Sequence, residues 1–194
     1  MHENQMMRMA GMNEEHNPHE RNVFKAFQQR LTWLLITLIG GIGMAELIGF
    51  FEESLSAKAA LASFIPVMLG TGGNVGTQAA TIAVRNLALD KSFVFSTVSM
   101  LWRELKVGTL LGMSFGFILG GYAFVRFEPK MGLAIAIATL ATVMCAALIG
   151  MFIPLTLNRM NVDPAVATGP FVTSSIDLLA ILIYFSRCVV VLGL

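Results

Sequence analysis

The sequence predicts an all-α membrane protein with five transmembrane helices in each protomer, and three observations carry that reading. Of the 194 residues, 56% are hydrophobic and only 13% are charged, whereas soluble domains carry about 25% charged residues. The charges are also segregated. Residues 59–84, 107–125 and 131–158 hold none, and residues 31–51 and 164–186 hold one each, Glu46 and Asp177. Each stretch approaches or exceeds the roughly 20 apolar residues needed to cross a hydrocarbon core of about 30 Å. Lipid cannot satisfy open backbone groups, so each span is expected to be helical.

The expected spans are about 31–52, 59–86, 106–125, 131–157 and 164–187, within a transmembrane domain covering 30–194. Residues 1–29 form a polar arm with five methionines and with His2, His16 and His19. His16-Asn-Pro-His19 has short spacing but no acidic or cysteine partner at ligand distance in sequence, which favours a solvated tail over a metal site. With the N-terminus cytoplasmic, the inner segments hold Arg8, Arg21, Lys25, Arg30, Arg85, Lys91, Arg103, Lys106 and Arg159. The outer ones then hold Lys58, Arg126, Lys130 and Arg187. That bias predicts N-terminus in and C-terminus out in a cell (inner) membrane. The mixed stretch 85–106, with Phe93, Phe95 and Trp102, reads as an amphipathic helix at the inner interface.

Several function classes drop out. A net charge of +1 offers no footprint for nucleic acid. Cys145 and Cys188 sit in apolar stretches and read as packing residues. Every histidine lies in the arm, so no serine or cysteine in the spans has a credible base, and no enzyme is expected.

The spans also carry two glycine patterns. Gly108, Gly112, Gly116 and Gly120 repeat every four residues, marking one helix face built for close approach. That face seats a helix either of the same chain or of a second copy. The second span instead combines Pro66, Gly70, Gly72, Gly73 and Gly76 with Asn74, Thr77, Gln78 and Thr81. Proline and glycine weaken a helix, which predicts a bent or partly unwound middle. Two readings stand for it: tight packing with polar side chains as interhelical glue, or a broken helix lining an ion path.

Glu46, Asp163 and Asp177 are acids in or beside the spans with no Lys or Arg in the apolar cores to meet them. Ionisable groups there are costly and point to function, and a hard divalent cation is a natural counter-charge. Asp163 before Pro164 also reads as an N-cap opening the fifth span.

At these residues the sequence resembles a known family. Pro66-Val-Met-Leu-Gly-Thr-Gly-Gly-Asn-Val-Gly-Thr-Gln78 with Val84-Arg85-Asn-Leu-Ala88 is similar to the second-helix signature of the MgtE magnesium transporters. Asn161-Val-Asp-Pro-Ala165, Gly169-Pro-Phe-Val172 and Asp177 with Leu-Ile-Tyr-Phe185 resemble its fifth helix, and Arg30-Leu-Thr-Trp-Leu34 its first-helix entry. The resemblance covers essentially residues 25–190. It implies a homodimer of five-helix protomers in the lipid bilayer, with an ion path in each, admitting hydrated Mg2+ to the cytoplasm down its electrochemical gradient. It also implies that Asp163 is the central acidic ligand, with Gly70, Gly73, Asn74, Thr77 and Thr81 lining the path opposite. Thr77 stands where some relatives carry a second Asn. Mn2+, Co2+ and Ca2+ are the expected competitors. The alternative readings are a carrier of another divalent metal or of a small anionic or zwitterionic solute. Family members carry cytoplasmic CBS modules that sense Mg2+. Only about thirty residues precede the first span here, so no CBS regulatory module is expected in this chain.

Overall fold

The computed structural model describes residues 23–89, 96–162 and 169–194, and these are helical, with no strand among them. In chain order the elements are α1 (Val23–Phe50), α2 (Glu52–Ala57), a 3-10 turn (Ala59–Phe64), α3 (Ile65–Leu89), α4 (Ser96–Arg126), α5 (Pro129–Arg159) and α6 (Pro170–Leu192). Four helical segments are long and apolar enough to cross a membrane: Ala59–Ala88, Thr97–Arg126, Pro129–Arg159 and Phe171–Leu192. The first expected span takes the form of α1, whose apolar part, Leu34–Phe50, is shorter.

Between lipid-embedded helices, burial of apolar surface gains little, because the lipid tails are apolar too. Close packing has to hold the bundle instead, and the glycine seam of α4 shows how. A Cβ built on Gly112 would lie 3.0 Å from the Leu140 carbonyl oxygen, and one on Gly116 only 2.8 Å from that of Ala136. Both neighbours belong to α5, so the glycine face is occupied within the chain.

The second expected span departs from its prediction. α3 runs unbroken through Gly70, Gly72, Gly73 and Gly76, where a bend or unwound middle was expected. Pro66 is only its second residue, following the 3-10 turn. A proline in the first turn removes a donor that has no partner there anyway, so it starts the helix rather than kinking it. The glycines are explained by packing on one side of the helix. A Cβ on Gly150 of α5 would collide with the Gly76 carbonyl, so the two backbones touch. The separate interfacial helix expected over 85–106 is likewise absent among the described residues. Residues 85–89 close α3 and residues 96–106 open α4, continuous with the span that follows.

One end of the bundle is fastened by polar bonds. The buried Tyr184 hydroxyl on α6 donates to the Leu61 carbonyl in the 3-10 turn at 2.8 Å. Lys58 and Glu128, beside the starts of the 3-10 turn and α5, form an ion pair at 2.6 Å. Phe51 stacks on Phe185 with ring centroids 4.9 Å apart. At the other helix ends, Asn161 (φ 58) and Gly193 (φ 72) adopt the left-handed conformation. The N–H of Val162 then reaches the Leu157 carbonyl and that of Leu194 the Val189 carbonyl, closing α5 and α6 with main-chain bonds.

Candidate functional site

α3 presents two unlike faces. Met68, Gly72, Val75, Gly76, Ala79, Ala80 and Ala83 are buried, and small residues dominate because α5 and α6 lie against them. At about 100° per residue, Gly70, Gly73, Asn74, Thr77 and Thr81 fall together within an arc of about 100° on another side. Gly70, Asn74 and Thr81 are exposed, and Gly73 and Thr77 are half-buried. A Cβ on Gly70 would meet nothing within 4 Å. The five positions expected on α3 therefore share one polar face, three of them exposed and two half-buried.

The polarity of this face suits a cation. The Thr81 hydroxyl donates to the Thr77 carbonyl at 2.8 Å. Its proton is thus used within the helix, and its lone pairs are left to accept from a water shell or to bind a cation.

Asp177 of α6 comes to this face. Its Oδ1 would lie 3.3 Å from a Cβ on Gly73, so the missing side chain makes room for the carboxylate. Asp177 is half-buried, and no hydrogen bond joins it to another described residue. The carboxyl group thus lies at Gly73, on the same helix face as Asn74 and Thr77, with no ion pair to a described residue. Sequence spacing connects Asp177 with Asp163 but gives no sign of Gly73. The only hint was a lone acid in one span and a missing side chain in another.

The other expected residues distribute differently. Asp163 and Pro164 lie outside the described residues, as do His2, His16 and His19. Glu46 is exposed on α1. Gln78, grouped in sequence with Asn74 and Thr77, is turned aside and lines a cavity against α4 instead. Among the described residues no three His, Cys, Asp or Glu side chains cluster as a metal site.

The comparisons with known proteins fall on the same elements. The model of the MgtE family, described as a divalent cation transporter, matches residues 65–187, from the start of α3 into the last turns of α6. The chain belongs to the MgtE family. The magnesium transporter MgtE of Enterococcus faecalis is 36% identical over 169 residues, 85% of this chain and 37% of its own length. That of Thermus thermophilus is 35% identical over 157 residues, 81% of this chain and 35% of its own. That of Bacillus subtilis is 29% identical over 167 residues, 86% and 37%. The chain thus spans about a third of the length of these curated MgtE relatives. Both walls of the site, the polar face of α3 and Asp177, fall inside the MgtE match.

Proposed function

We propose that this chain transports Mg2+ across a membrane along the polar face of α3, with Asp177 and Asp163 as its acidic groups. The observation that carries the reading is the Asp177 carboxylate seated at Gly73, beside an open face of hydroxyl and amide groups. Mg2+ gives up its waters reluctantly and usually keeps several. A site of one or two carboxylates with neutral oxygens fits such an ion, because the water shell reaches the donors that the protein lacks. Gly70 and Gly73 leave width for that shell, while Asn74, Thr77 and Thr81 accept hydrogen bonds from it. The printed names of the relatives support Mg2+ as cargo.

In this reading α1 also spans the membrane as the first of five helices, the N-terminus is cytoplasmic and the C-terminus outside. The ion moves inward down its electrochemical gradient. An open polar face is unfavourable against lipid, so in a homodimer the second copy shields it from lipid while leaving it wetted. The path then runs between the copies rather than within each protomer as the resemblance implied. Mn2+, Co2+ and Ca2+ compete to the extent that their hydrated size and geometry match. A small anionic solute has less support, since the unbroken α3 presents no half-helix N-terminus at membrane depth.

The test is ion flux in proteoliposomes at a fixed potential. Mg2+ is expected to enter, Na+ to be excluded, and Asp163→Ala to abolish uptake in protein that still folds. Absence of any divalent flux from folded protein would overturn the proposal.

A further inference from the structure

α4 is longer than its span requires. Its 31 residues extend about 46 Å at 1.5 Å per residue, against a hydrocarbon core of about 30 Å. The uncharged run Val107–Val125 fills that core, which leaves Arg103, Glu104 and Lys106 in the headgroup layer at one membrane face. Trp102, at the same level, is 60% exposed, as expected of a tryptophan anchoring at an interface.

At this depth a cavity of about 180 Å³ opens between α3 and α4, lined among others by Asn86, Arg103 and Glu104, and more deeply by Gln78, Val107 and Leu111. Glu104 is 8% exposed, and no hydrogen bond joins it to another described residue. Arg103 beside it acts on the carboxylate electrostatically, yet no donor among the described residues reaches its oxygens, which face the cavity. A largely buried carboxylate is best held where donors meet it. A metal ion is a poor candidate. Arg103 shares the cavity and repels it, and no cluster of metal-ligating side chains exists among the described residues.

Arg103 and Glu104 are adjacent on α4, about 1.5 Å apart along the helix axis, and both line the cavity, so it offers a cationic and an anionic group at similar depth. The complement is a zwitterion above an apolar body. We propose that the cavity holds the headgroup of a phospholipid carrying a primary amine and a phosphate, namely phosphatidylethanolamine. The ammonium donates to Glu104, while Arg103 and the Asn86 amide donate to the phosphate. The acyl chains leave along Val107 and Leu111. A choline headgroup has no N–H to give Glu104, and phosphatidylglycerol has no cation to place there. The inference rests on the chain being embedded in a membrane, not on which ion it carries.

The experiment is native mass spectrometry of the detergent-solubilised protein titrated with phosphatidylethanolamine, phosphatidylcholine and phosphatidylglycerol of matched chains. The ethanolamine lipid is expected to bind about tenfold tighter than the other two, the worth of one hydrogen bond to a charged group. Glu104→Gln and, separately, Arg103→Gln should each erase that preference. Arg103 is exposed, so its variant keeps the fold even if Glu104→Gln does not. Equal binding of the three lipids, a preference for phosphatidylglycerol, or a preference that survives in both variants overturns the proposal. So does cross-linking that places a second copy of the chain over Arg103 and Glu104.

Discussion

Asp177 and Thr142 are both polar side chains within the spans, and their environments assign them opposite roles. Asp177 lies at Gly73 of α3 with no hydrogen bond to a described residue, so it adds no side-chain bond between the helices. Asp177→Asn keeps the shape and removes the charge. We expect Mg2+ flux into proteoliposomes to fall on the order of tenfold or more, since a divalent ion loses several kcal/mol of attraction at an effective dielectric near 20. The thermal midpoint in detergent should not drop, and an unchanged flux would refute the role. Thr142 on α5 is buried, and its hydroxyl is without a partner among the described residues. An unsatisfied buried group costs about 1–3 kcal/mol. Thr142→Val should therefore raise the thermal midpoint and leave transport intact.

Helix pairing depends on glycines at some positions and not at others, even along one helix. On α4 a Cβ at Gly116 would press within 2.8 Å of the Ala136 carbonyl oxygen, whereas one at Gly121 would meet nothing within 4 Å. Backbone cannot yield as a flexible side chain does. Gly116→Ala should thus force α4 from α5 at a cost of about 1–3 kcal/mol. Gly121→Ala should be neutral or stabilising by up to about 1 kcal/mol, because alanine is the better helix former. Thermal unfolding of the two single variants checks the contrast, and equal effects would refute the seam. The same logic explains α3. Helix propensity alone argues for a break at its glycines, but Gly76 against Gly150 and Gly73 against Asp177 occupy the vacated space. Packing then supports a continuous helix that local preference disfavours.

Over the whole molecule, exposure divides by polarity. Leu110, Phe117 and Val125 on α4 are 66%, 83% and 87% exposed, a surface suited to lipid and unsuited to water. The exposed face of α3 instead carries Asn74 and Thr81. Both surfaces are open on the single chain, yet only the second belongs next to water. In a cysteine-substituted protein reconstituted in vesicles, Asn74→Cys should react with a membrane-impermeant thiol reagent and Phe117→Cys should not. Equal labelling of the two would remove α3 from the path.

Four helices long and apolar enough to span were legible in the sequence because a bilayer imposes a one-dimensional rule. A charge-free run long enough to cross is visible without knowing what packs against it, as 107–125 and 131–158 show. Part of the polar face of α3 was legible for a similar reason, since helical periodicity aligns Asn74, Thr77 and Thr81, while Gly70 and Gly73 joined them only through the family resemblance. Whether α3 breaks, which face of α4 is filled and where Gln78 points all depend on neighbours distant in the chain. So does the meeting of Asp177 with Gly73, across 104 residues of sequence. A glycine reads locally as a weakness, and only the helix beside it decides whether it becomes a break or a contact.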